Sequence, residues 1–143
     1  MKLTQLSVFL ENQPGRLSAL CRTLADAGVN LSTLMLSDNG EFGLLRLLTA
    51  DPDKAKATVA GAGYAVTTTE VVALQVPDRP GGLAGILTQL EAAGVSVEYM
   101  YAFAERPGND AVMVFRFDDT DKALAALQAV GVPVYRPVDL FKA

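Results

Sequence analysis

The chain has 143 residues, with 12 Lys+Arg against 16 Asp+Glu for a formal net charge of −4, and 50% of it is hydrophobic. That apolar share builds a core and excludes a disordered chain, and the length fits one ordinary domain or two very small ones. With no histidine and the single cysteine Cys21, the commonest metal sites and the Ser/His and Cys/His nucleophile pairs are excluded, and a mildly acidic chain makes a poor binder of nucleic-acid phosphates.

In chain order, Leu6, Val8 and Leu10 alternate as the first strand. Pro14-Gly15 breaks that strand and opens a helix, with proline expected in its first turn. Leu17, Leu20, Cys21 and Leu24 fall at i, i+3, i+4 and i+7, one face of that helix, and Gly28 stands where a left-handed C-terminal cap belongs. Residues 31–37 and 42–48 read as a hairpin pair. Asp51-Pro52 starts a second helix as N-cap and first helical residue, and residues 64–68 close the half as a strand.

The same order then returns. Asn12-Gln13-Pro14-Gly15-Arg16-Leu17 recurs as Asp78-Arg79-Pro80-Gly81-Gly82-Leu83, and Ala27-Gly28-Val29-Asn30 as Ala93-Gly94-Val95-Ser96. Val72, Leu74 and Val76 repeat the first strand, and Leu83, Ile86, Leu87 and Leu90 repeat the helix face. Residues 97–103 and 111–117 read as the second hairpin pair, and Asp119-Thr120-Asp121-Lys122-Ala123 matches Asp51-Pro52-Asp53-Lys54-Ala55. Residues 132–135 close the chain. The second half needs two extra residues, which fit in the loop around Glu105–Asp110.

Each half is therefore read as βαββαβ, an α+β unit with an antiparallel sheet and both helices on one face, one spanning 1–69 and the other 70–143. No Gly/Ser- or Pro-rich linker lies between them. Such a small unit is marginal alone, so the halves are expected to pack together. Val97, Tyr99, Tyr101 and Phe103 are read as lining one face of a central strand, and Met100 and Ala102 the other. Helices cover one face of a sheet, so a second copy of the chain is expected on the other, giving a homodimer.

These motifs resemble the ACT domain, a small ferredoxin-like regulatory module that binds amino acids. The likeness is carried by Asn12-x-Pro14-Gly15-x-Leu17 and Asp78-x-Pro80-Gly81-x-Leu83 after the first strand, and by Gly28-Val29-Asn30 and Gly94-Val95-Ser96 before the second. It covers essentially the whole chain twice, as in free-standing tandem ACT proteins that carry no catalytic domain. The resemblance implies a ligand site where the turn after the first strand meets a neighbouring module's second strand. In repeat 1 the implied residues are Asn12, Gln13, Pro14, Gly15, Arg16, Leu17, Asn30 and Leu31. In repeat 2 they are Asp78, Arg79, Gly81, Gly82, Leu83 and Ser96. Elementary chemistry agrees: a helix N-terminus favours a carboxylate, glycine lets a ligand approach the backbone, and an amide serves both charges of a zwitterion. Repeat 2 departs from the pattern at Asp78 and Ser96, which sets its turn apart.

Plainer readings stand beside these. Asn12 and Asp78 serve equally as turn-bracing Asx residues. Cys21 reads as core packing, and the Tyr99/Tyr101/Phe103 ladder as cross-strand packing or subunit contact. Arg46 and Arg116 are expected to meet carboxylates of the protein, and Asp118, Asp119 and Asp121 to cap a helix rather than hold a metal. The resulting expectation is a cytoplasmic, non-enzymatic regulatory protein with no cofactor or metal, no catalytic residues, and no nucleic-acid or membrane partner. It binds an amino acid or similar zwitterion and acts through association, on a regulated enzyme the sequence does not name. Its rivals are a small enzyme on a ferredoxin-like or dimeric α+β barrel scaffold, and an interaction module without ligand.

Overall fold

The computed structural model describes residues 1–103 and 110–141. Its elements run β1 (Leu3–Glu11), α1 (Arg16–Asp26), β2 (Thr33–Asp38), β3 (Phe42–Leu48), α2 (Pro52–Gly61), β4 (Val66–Val76), α3 (Gly82–Ala92), β5 (Val97–Ala102), β6 (Ala111–Phe117), α4 (Thr120–Ala129) and α5 (Pro137–Leu140). They form two compact units, one of Thr4–Thr69 and one of Met1–Leu3 with Glu70 onward. The division falls inside β4, so the two strands read at 64–68 and around Val72 are one continuous strand. Among the described residues no helix is long and apolar enough to cross a membrane.

In the first unit the strands lie in the order β2-β3-β1, all antiparallel. Leu6, Val8 and Leu10 of β1 stand opposite Leu47, Leu45 and Gly43 of β3, and the leucines and valine pack on Leu20 and Leu24 of α1 and Ala55 and Val59 of α2. Side chains alternate along a strand, so Ser7 and Phe9 face away from the helices. Phe9 is 46% exposed and Phe42, on the same face, 50%. Cys21 is half-buried, like Leu87 at the same place in the other unit.

The second unit repeats the plan with strand order β4-β6-β5. Val72, Leu74 and Val76 join Phe115 and Phe117 in a core against Ile86, Leu90, Ala123 and Leu127. A register shift between Val97 and Tyr99 corrects the reading of β5. An extra residue at such a bulge reverses the alternation, so Val97 packs on the helix side with Met100, away from Tyr99 and Tyr101. Tyr101 and Phe103 are buried within the single chain, and the Phe103 ring meets Phe141 at 6.3 Å between centroids. Part of the second face is thus covered by the chain's own end, where the sequence pointed to a second copy. The strand read at 132–135 is reduced to a single bridge between Leu74 and Val134, followed by Tyr135 N–H donating to the Ala73 carbonyl. The expected loop at 105–109 lies outside the described residues.

Helix ends explain why the halves look alike. Gly28 (φ 76°) and Gly94 (φ 75°) accept the left-handed conformation that a side chain resists. Each closes its helix with paired bonds: Val29 N–H to Leu24 and Gly28 N–H to Ala25 in one, Val95 to Leu90 and Gly94 to Glu91 in the other. Asp51 and Asp119 accept from the N–H of Lys54 and Lys122, both at 3.1 Å, capping α2 and α4. Asp118 instead accepts from Ser96 N–H at 2.9 Å, while its own N–H donates to the Ser96 carbonyl. Of the strand arginines, Arg46 donates to Ser37 Oγ at 3.2 Å. Arg116 donates to the Glu70 carbonyl at 2.9 Å and lies 3.7 Å from the Glu98 carboxylate.

Candidate functional site

The turns after β1 and β4 are built alike. Pro14 precedes Gly15 at φ 87°, ψ −11°, and Arg16 N–H returns to the Gln13 carbonyl at 3.3 Å. Pro80 precedes Gly81 at φ 83°, ψ −5°, and Gly82 N–H returns to the Arg79 carbonyl at 3.0 Å. These are type II turns, which place proline second and require positive φ at the third residue. The prolines therefore sit in the turn before the helix, not in its first turn as the sequence suggested. Gly15 and Gly81 become the N-caps of α1 and α3, and no side chain caps either helix. The Arg16 and Gly82 N–H groups are spent within the turns, and the N–H groups that follow them in each first turn carry the positive end of the helix dipole.

In repeat 1 this turn borders a cleft of about 410 Å³, lined by Leu10, Glu11, Asn12, Gln13, Pro14, Gly15, Leu17, Leu36, Asp38 and Gly43. Asn12 Nδ2 donates to Asp38 Oδ2 at 2.6 Å, and Gly40 N–H donates to Asp38 Oδ1 at 2.6 Å. The cleft thus holds an amide and a carboxylate beside a helix N-terminus, against a wall of Leu10, Leu17 and Leu36. Its volume lies at the low end of the roughly 300–1,000 Å³ usual for small-molecule sites. A zwitterion finds complements for both charges there: Asp38 for an ammonium, the α1 N–H groups for a carboxylate.

Not every implied residue is in that cleft. Arg16 turns aside, 3.3 Å from Glu11, and lines a separate cleft of about 300 Å³ with Tyr64 and Gly63. Asn30 is exposed and Leu31 packs on the unit's core. Both precede β2, whereas Asp38 ends it, and a strand of six residues spans roughly 20 Å. Within one unit, then, Asn30 and Asn12 do not converge. Asp38, Leu36 and Gly43, which do line the cleft, belong to β2 and β3 and carry no motif of their own; the one clue in the sequence is a glycine inside an otherwise apolar strand.

The repeat 2 turn is braced differently. Asp110 accepts from Gln75 Nε2 at 2.6 Å and from Asp78 N–H at 3.4 Å. Gly82 is buried, and a Cβ there would run into the Pro77 carbonyl oxygen. Leu83 packs on the core, and Ser96 is tied to Asp118. Arg79 is exposed, with its N–H on the Pro77 carbonyl at 3.0 Å. Among the described residues no cluster of His, Cys, Asp and Glu could hold a metal ion.

Comparison with known proteins agrees with this architecture. No curated protein matches the chain. Among solved structures, protein BT0572 from Bacteroides thetaiotaomicron is 41% identical, over 100% of this chain and 98% of its own, with a TM-score of 0.93. The regulatory subunit of aspartate kinase from Thermus thermophilus shares the fold at 15% identity, over 92% of both chains, with a TM-score of 0.65. The model of the ACT domain pair matches residues 1–130, and the chain accordingly belongs to the ACT domain pair family.

Proposed function

We propose that the protein is a regulatory module, without catalysis of its own, that binds an amino acid at the Asn12–Asp38 cleft and passes on that state by association. Repeats 1–69 and 70–143 are its two functional halves. The observation that carries this reading is the cleft itself, where charge complements for an ammonium and a carboxylate flank an apolar wall. The likeness to a subunit named as regulatory for aspartate kinase supports the same class of role. Association as a homodimer is supported by Phe9 and Phe42, exposed on the sheet face away from the helices. The tyrosine ladder expected at that contact is a weaker candidate, since Tyr101 is 7% exposed in the single chain.

A thermal-shift screen of the twenty amino acids tests the proposal. A ligand at 100 times its dissociation constant adds about 2.7 kcal/mol, and each kcal/mol raises the midpoint of a chain this size by roughly 2–4 °C. One or two amino acids should therefore move the midpoint by several degrees. A flat screen at millimolar concentration would favour the ligand-free interaction module instead.

A further inference from the structure

We infer that Gly43 and Leu36 set the size of the ligand's side chain, and that the repeat 1 cleft selects an uncharged amino acid with a compact aliphatic side chain; this rests on the proposed amino-acid site. Gly43 sits inside β3, directly opposite Leu10 of β1 and Asp38 of β2. Its φ is ordinary, so the backbone does not call for glycine there. What glycine supplies is space. A Cβ at Gly43 would stand 3.3 Å from Leu36 Cδ1 and 3.8 Å from Leu10 Cβ, both lining the cleft. At the matching ladder position of repeat 2, opposite Val76, stands Ala111. Glycine within a strand marks a close approach of another group, and here the approaching group is the Leu36 side chain at the cleft wall.

Charge narrows the class further. The ionisable residues lining the cleft are the carboxylates Glu11 and Asp38, and the turn's cation, Arg16, is held by Glu11 and lines the other cleft. A ligand with an acidic side chain brings a second carboxylate toward Asp38. A ligand with a basic side chain finds Asp38 taken by its own α-ammonium and Glu11 already paired with Arg16. A side chain of one to four carbons meets neither cost. Each methylene that fits or fails to fit a shaped apolar pocket changes discrimination by about 10- to 200-fold.

Titration calorimetry on the full chain decides this, using glycine, alanine, valine, isoleucine, phenylalanine, aspartate and lysine. Alanine, valine or isoleucine should bind tightest, with aspartate and lysine weaker by ten-fold or more. In Gly43→Ala, with an unchanged circular dichroism spectrum, valine and isoleucine should weaken by at least ten-fold relative to glycine and alanine. Leu36→Ala, a change at a side chain 49% exposed, should shift preference toward phenylalanine and keeps the test open if Gly43→Ala misfolds. Tightest binding of aspartate, lysine or phenylalanine by the unaltered chain overturns the inference and leaves the amino-acid site standing. So does a uniform loss across all ligands in both variants. Binding of none of the seven overturns the proposed function, and the inference falls with it.

Discussion

The turn after β1 and the turn after β4 share a backbone and differ in almost every side chain that meets the solvent. Both are Pro-Gly type II turns that hand a left-handed glycine to an uncapped helix. Around that common frame, repeat 1 carries Asn12, Arg16 and Gly43 where repeat 2 carries Asp78, Gly82 and Ala111. Duplication preserves what the backbone requires, and the side chains it leaves free are where the halves differ. Repeat 1 keeps room and an amide at the turn; repeat 2 ties its turn down through Asp110.

That contrast breaks first at Gly82. Gly82→Ala forces a methyl against the Pro77 carbonyl and should cost about 1–3 kcal/mol, the usual range for overpacking, read from the denaturant midpoint. Arg16→Ala at the equivalent position removes an exposed ion pair and should cost under about 1 kcal/mol. Equal costs would show that the two turns are not constrained differently.

The next largest effect concerns the ligand. Asn12→Ala should weaken amino-acid binding by about ten-fold or more by calorimetry, the cost of one hydrogen bond to a charged group. Asp78→Ala should change it little, because Asp78 sets a negative charge where a ligand carboxylate would go. The reverse ranking would move the site to repeat 2.

A smaller difference follows from the tail. Repeat 1 runs straight into β4, whereas repeat 2 ends in a segment that lays Phe141 on Phe103. Phe141→Ala should cost about 0.5–1.5 kcal/mol beyond the area it uncovers, the worth of an aromatic pair. An unchanged midpoint would mean the tail contributes nothing to folding.

The smallest effect is electrostatic and local to that tail. Hydrogen bonding to Arg136 holds the Asp139 carboxyl below its ordinary 3.8. A depressed carboxylate contributes stability that is present above its ordinary value and lost as pH falls through the lower native one. Asp139→Asn should therefore remove that small contribution at neutral pH, leave the most acidic end of the profile nearly unchanged, and so flatten the acid limb below about pH 4. A steeper acid limb in the variant would reverse the sign.

Much of the fold was legible because it is written in local, repeated signals. Leu17, Leu20 and Leu24 mark α1 by spacing, Gly28 and Gly94 mark helix ends by conformation, and Asp51 and Asp119 mark starts by capping. What escaped the sequence depends on partners distant along the chain. The bulge before Tyr99 costs one residue of register and leaves no mark in composition. Arg16 reads as part of the cleft until Glu11 is seen to draw it aside. Asp38 reaches Asn12 across 26 residues, so only strand pairing reveals that they meet. The contact of Phe141 with Phe103 likewise joins residues far apart in sequence and has no local signal.

The first three residues have a practical consequence. Met1–Leu3 belong to the unit that otherwise begins at Glu70, with Leu3 2% exposed and the Lys2 ammonium between Glu70 (3.3 Å) and Asp121 (2.8 Å). A fluorophore or fusion partner attached at Met1 therefore reports on repeat 2, although the chain enters repeat 1 immediately afterwards. A fragment starting at residue 70 loses a buried leucine and a shared cation that its own half of the sequence never encoded.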